Sequence, residues 1–224
     1  VVQIAGIGAP VPPAPQERCI YGSHWRMDLK ELMASHKANI ILKYAGEHLD
    51  PIEQYLALYK VANIFPQMGM LGVINEPGWS SHPAEIVQNL VGAEMLPIVR
   101  ENPPLLYWCG FFGMKVADVI WLVERGHHLF GLPDFAMAVV DEANADPLAT
   151  QHTFHDLFTY FHTEKVQPKQ GTVVAMDEDH AFEFYDLEDA LQDLTGYHNT
   201  IIVHPLSPEE QEVLGAAADQ QFGE

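Results

Sequence analysis

The sequence predicts an α+β fold: mixed sheets with crossover helices, and a C-terminal half built as a split βαβ, ferredoxin-like unit. Two observations carry this. Amphipathic stretches of helical period alternate with short apolar runs, which requires crossover connections and therefore a mixed or parallel sheet. Residues 135–204 then read strand, helix, strand, strand, helix, strand, which is the order of a split βαβ motif. At 224 residues and 48% hydrophobic content, the chain can bury a substantial core. It is expected to form a single domain over 1–224, or two pseudo-repeated halves, 1–124 and 125–224.

Each element has a local signal. Val1–Ile7 is apolar and short, a strand. Ala9–Gln16 holds Pro10, Pro12, Pro13 and Pro15 and is expected to be extended loop. Asp28–Glu31 has the spacing of a capping box at a short helix. Ala38–Tyr44 suits a buried strand. Asp50-Pro51-Ile52-Glu53 places an acceptor at the N-cap, proline in the first turn and Glu three residues on. Ile52, Tyr55, Leu56, Tyr59 and Ala62 follow on one helical face. Met70–Ile74 is the next strand, and Ser81–Pro83 is expected to open a helix carrying Ile86, Val87, Leu90 and Val91.

Leu105–Phe112 and Val116–Val123 are expected to be neighbouring strands joined at Gly113, with Phe135–Val140 a third. Asp146-Pro147 starts a long helix whose stripe is Phe154, Leu157, Phe158 and Phe161. Thr172–Met176 and Ala181–Tyr185 form a hairpin around Asp177–His180. Leu187, Ala190, Leu191 and Leu194 mark a short helix, Thr200–Val203 a strand, and Ser207–Glu210 caps a last helix with Val213 and Leu214. Ala38–Ile74 and Phe135–Met176 share one layout, strand, Asp-Pro cap, helix, strand, which suggests either an old duplication or a shared helix opener.

Charge narrows the function. Lys and Arg total 11 against 31 Asp and Glu, a net −20. Phosphate recognition needs clustered cations, and here they are scattered, so neither nucleic acid nor an anionic membrane surface is an expected partner. Residues 141–224 contain Lys165 and Lys169 against eighteen carboxylates. That half is either a solvated acidic face or a surface that steers a basic protein. Cys19 and Cys109 form no C-x-x-C motif, and two thiols in a chain this long fit a reducing cytoplasm. No apolar run reaches the ~18 residues of a membrane span. The chain opens at Val1 inside a strand-like run, so further residues are expected upstream.

Candidate chemistry is sparse. Gly6-Ile7-Gly8 lacks a third glycine, and the prolines after it do not suit a phosphate-binding helix. His152, His155 and His162 on the Asp146 helix read as a polar flank rather than a metal site, and no cofactor or metal is expected. The turn Asp177–His180 lacks the spacing of a calcium loop. The connection from Arg125 to Asp134, holding His127 and His128 between Gly126 and Gly131, is the first candidate site for a ligand or partner. The loop Asn75–His82 is the second: Trp79 is a possible contact anchor, with His82 beside it. No nucleophile motif accompanies either, and no catalytic residue is assigned.

Pro10-Val11-Pro12 after a strand, Trp25 before Ser35-His36-Lys37-Ala38-Asn39-Ile40, Gly69-Met70-Leu71-Gly72-Val73, and Gly126-His127-His128-Leu129-Phe130-Gly131-Leu132-Pro133-Asp134 together resemble a bacterial domain-of-unknown-function family, the 4261 type. The resemblance implies a bacterial origin, an α+β fold, and a strand and helix before the proline-rich loop. It carries no activity. The sequence therefore favours a non-enzymatic cytoplasmic protein-interaction domain, adaptor or immunity-like, with an acidic C-terminal half and an open oligomeric state. The alternative is a hydrolase or small-ligand-binding protein using Arg125–Asp134. Crowded carboxylates and surface histidines would give greater stability at pH 6 than at pH 8.

Overall fold

The computed structural model describes residues 1–139, 146–177, 179–187 and 199–211. It is an α+β protein with two compact units: Val1–Phe112 with Glu124–Gly131, and Gly113–Val123 with Leu132–Glu224.

The first unit opens with strand β1, Val2–Ile7. Helix α1, Pro13–Gln16, runs into a π-helical turn over Glu17–Tyr21 that buries Cys19 and Ile20. The extended stretch is therefore shorter than the prolines suggest: at the first helical position Pro13 has no intrahelical N–H bond to lose. Helix α2, Met27–Ala34, has Arg26 at its N-cap. Asp28 is not the cap. It lies in the first turn, and its carboxylate takes bonds from Arg26 Nη2 (2.6 Å) and Nε (3.2 Å).

Strand β2, Asn39–Tyr44, pairs antiparallel with β1 in a two-stranded sheet. It is not the buried strand its composition suggests, for Ile40 is 45% and Ile41 51% exposed. A two-stranded ribbon has two faces, and little covers the second. Helix α3, Pro51–Ala62, begins as expected, with the Asp50 carboxylate accepting the Ile52 N–H at 2.9 Å. Ile52, Leu56, Tyr59 and Ala62 are buried. Asp50→Ala should cost about 1 kcal/mol by leaving that N–H uncapped, measured by thermal unfolding; an unchanged melting point would show that water replaces the cap without loss.

Strands β3, Gly72–Asn75, and β4, Ser80–Pro83, form an antiparallel hairpin. Ser81 is thus a strand residue and not a helix cap. Its hydroxyl donates to the Cys19 carbonyl (2.7 Å), and helix α4, Ala84–Leu90, follows Pro83 without a side-chain cap. Helices α5, Met95–Glu101, and α6, Leu105–Trp108, come next. The expected strand from Leu105 begins only at Gly110, because a short apolar run does not distinguish a buried helical turn from a strand.

Strands β5, Gly110–Val116, and β6, Val119–Arg125, are neighbours joined by two residues, which makes them an antiparallel hairpin. The turn is at Ala117, with φ of 53°, and Gly113 lies inside the strand. Strand β7, Asp134–Val139, is followed by helix α7, Pro147–Glu164, where Asp146 accepts the Ala149 N–H at 3.0 Å. Phe154, Leu157, Phe158 and Phe161 are buried along α7. His152 is exposed and His155 and His162 half-buried, the polar flank expected. Lys165 ends the helix at φ 58°, ψ 33°. Lys165→Gly should raise stability by about 0.5–1 kcal/mol by relieving the left-handed conformation, read as a higher urea midpoint; a lower midpoint would refute the strain argument.

Strands β8, Val173–Ala175, β9, Ala181–Asp186, and β10, Thr200–Pro205, complete a six-stranded sheet in the order β5-β6-β7-β10-β9-β8. β10 runs parallel to β7 and antiparallel to β9, and β8 is antiparallel to β9. The strands either side of α7, β7 and β8, are therefore parallel and split by two others. In a ferredoxin-like sheet the third strand of the motif lies next to the first; here β10 takes that place.

Ser207 and Glu210 form the expected capping box. Val140, the helix expected over Leu187–Leu194 except Leu187 itself, and Val213 and Leu214 lie outside the described residues. The supposed duplication has no counterpart in pairing: β2 and β3 belong to separate two-stranded sheets, whereas β7 and β8 share one. Asp50-Pro51 and Asp146-Pro147 each open a helix.

Candidate functional site

The β3–β4 hairpin carries a four-residue turn, Glu76–Trp79, closed by the Trp79 N–H donating to the Glu76 carbonyl at 3.2 Å. Close packing shapes this turn. A Cβ on Gly78 would lie 2.4 Å from the Trp108 carbonyl oxygen and 2.6 Å from Asn75 Nδ2. The Gly110 N–H donates to the Gly78 carbonyl (2.7 Å), tying the turn to the start of β5. Trp79 itself sits at φ 52°, a backbone region that bulky residues seldom occupy.

The indole of Trp79 is half-buried and cationic groups flank it. The Arg18 guanidinium lies 5.1 Å and that of Arg125 5.2 Å from its ring centroid, within cation–π range. Phe112 stacks at 5.3 Å. Arg125 Nε donates to the Pro77 carbonyl at 2.9 Å, and Arg18 approaches Glu76 at 3.8 Å. Trp79 and Arg125, expected from separate loops, thus belong to one cluster. Arg18 and Phe112 complete it, and no local pattern in the sequence marks either.

His82 lies on the other side of the chemistry expected of it. It is buried, its Nδ1 lies 3.0 Å from the Pro83 carbonyl and its Nε2 2.7 Å from the Tyr59 hydroxyl. A carbonyl can only accept, so Nδ1 carries the proton and Nε2 accepts from Tyr59. Burial pushes the His82 imidazole down to about 4 and the Tyr59 phenol above its ordinary range. This is a neutral, wholly satisfied pair.

The Arg125–Asp134 connection contains a 3-10 turn, His127–Phe130, entered at Gly126 with φ 134°. A side chain there would meet Cys109 Sγ at 2.7 Å, so glycine is required on steric grounds as well. His127 is buried with Nε2 2.9 Å from Glu124 Oε2, and Glu124 is equally buried. The Glu124-x-x-His127 spacing was visible in the sequence, but it straddles a strand end and a turn, where no helical rule applies. His128 is half-buried, and its carbonyl takes the Gly131 N–H at 3.3 Å. Asp134 is buried at the start of β7, in the second unit, and its N–H donates to the Asn199 carbonyl at 2.8 Å.

Arg125 thus meets Trp79 and the Pro77 carbonyl, and His127 meets Glu124. Cys19 is buried, and burial with the charge of Glu76 pushes its thiol up to about 11, leaving no thiolate nucleophile at neutral pH. Among the described residues no group of three His, Cys, Asp or Glu side chains could hold a metal ion, and no helix is long and apolar enough to cross a membrane. The chain matches no family model, no curated protein and no solved structure.

Proposed function

We propose that this protein acts by binding another protein rather than by chemistry, as an adaptor or immunity-like domain, and that its partner is basic. The observation behind this reading is the segregation of charge between the two units. The first unit has eight Lys and Arg against eleven carboxylates, a net −3; the second has three against twenty, a net −17. A solubilising charge has no need to collect in one unit, whereas a surface that steers a cationic partner does. Among the described residues there, the carboxylates of Asp118, Asp156, Glu164, Asp179, Asp186 and Glu209 are exposed. Cys19 and Cys109 are both buried, and two thiols in a chain this long suit a reducing cytoplasm.

The test is affinity capture from a cell lysate at low and high salt, with wild type and with the exposed carboxylates Glu164, Asp179, Asp186 and Glu209 converted to amides. Captured basic proteins should be lost in high salt and reduced with the variant. Capture that is indifferent to both would refute electrostatic recognition.

A further inference from the structure

We infer that β1 is a self-complementary edge through which two copies of this chain pair into a continuous four-stranded sheet. Among the described residues β1 has a single strand neighbour, β2. The Ala45 N–H donates to the Val1 carbonyl at 2.9 Å, and the register pairs Gln3 with Lys43, Ala5 with Ile41 and Ile7 with Asn39. Antiparallel backbone groups alternate sides, so the odd-numbered residues of β1 point their N–H and C=O at β2. Those of Val2, Ile4 and Gly6 point away, along an open edge.

That edge matches itself. An antiparallel copy centred on Ile4 places Ile4 opposite Ile4 and Val2 opposite Gly6, and every outward N–H and C=O of the three residues finds a partner. Natural edge strands are usually guarded by charge, proline or a bulge. β1 has none of these, and residues 1–16 contain no Asp, Glu, Lys or Arg. Two molecules of net −20 repel least where charge is absent, and β1 lies in an uncharged stretch of sixteen residues, longer than the uncharged edge strand β8. The opposite edge, β2, carries Lys43. Ile4 is 57% exposed in the single chain, and pairing covers it with its own copy.

The wild-type protein should sediment as a dimer, and high salt should strengthen the association by screening the like net charges. That response is opposite to the one expected for a basic partner, so failure here and failure of that reading are separable. Ile4→Pro should be monomeric with an unchanged circular dichroism spectrum, because the N–H it removes faces away from β2; Ile4→Lys should be monomeric as well. Register is read directly by cysteine pairing. Gln3 and Ala5 of opposite chains would form a non-hydrogen-bonded pair with Cα atoms about 4.5 Å apart. A mixture of Gln3→Cys and Ala5→Cys proteins should form a disulfide-linked dimer on mild oxidation, and neither variant alone should. A monomeric wild type, or a dimer that survives Ile4→Pro, would overturn the proposal.

Discussion

Phe135→Ala should destabilise the second unit by about 3–5 kcal/mol. Phe135 lies in β7, between β6 and β10, and is fully buried. Its ring meets Phe154 at 5.8 Å, Phe184 at 6.2 Å and Phe161 at 6.4 Å. Helix α7 and strand β9 therefore both rest on one side chain. Truncation removes its buried area and three ring contacts, and the surrounding rings close the cavity poorly because they are stiff. Phe135→Leu, which retains much of the volume, should cost less. Urea unfolding followed by near-ultraviolet circular dichroism measures both. A loss below about 1 kcal/mol for the alanine variant would mean that the aromatic cluster is not the organising core of this unit.

That core was legible in the sequence because its signals are local. Asp146-Pro147 fixes the start of α7, and the spacing of Phe154, Leu157, Phe158 and Phe161 fixes its buried face. The same logic located α3 from Asp50-Pro51. The errors fall where tertiary contacts outrank local pattern. Ser81 beside Pro83 has the chemistry of a helix cap, yet its hydroxyl is drawn to the Cys19 carbonyl, 62 residues away. Leu105–Trp108 is apolar enough for either structure, and the outcome rests on burial of Leu105 and Trp108.

The candidate site was legible only in fragments. Trp79 and Arg125 each looked unusual in its own loop, but their meeting depends on the Gly78–Gly110 backbone bond and on an arginine from the π-helical turn. No periodicity encodes such a meeting. His82 was misread for a related reason. Its neighbours in sequence, Ser80 and Ser81, suggested a polar loop, while its neighbours in space are Tyr59 and Tyr107. The polar-flank reading was made for His152, His155 and His162, which are exposed or half-buried; His82 is buried, and its protonation acts against the fold in acid.

Stability of the first unit should fall as pH drops from neutral toward 4. The folded imidazole of His82 is held near 4 by burial, against an ordinary 6.5. Between those values the unfolded chain binds a proton that the folded chain refuses, so acid favours unfolding. The contribution is fully present above 6.5 and is lost as pH descends to about 4. Linkage gives a loss of about 1 kcal/mol at pH 6, about 2 at pH 5 and about 3 at pH 4. Relief of carboxylate repulsion acts in the opposite direction, but it belongs to the acidic second unit and salt screens it. The His82 effect arises from desolvation and should persist in salt. Trp25, Trp79 and Trp108 lie in the first unit and only Trp121 in the second, so tryptophan fluorescence reports mainly on the unit that holds His82. In moderate salt its melting temperature should be lower at pH 5 than at pH 7.5. His82→Gln, which cannot titrate, should flatten that slope while lowering stability at neutral pH. A melting temperature that rises on acidification, or an equal slope in the variant, would mean that His82 exchanges protons with solvent in the folded state.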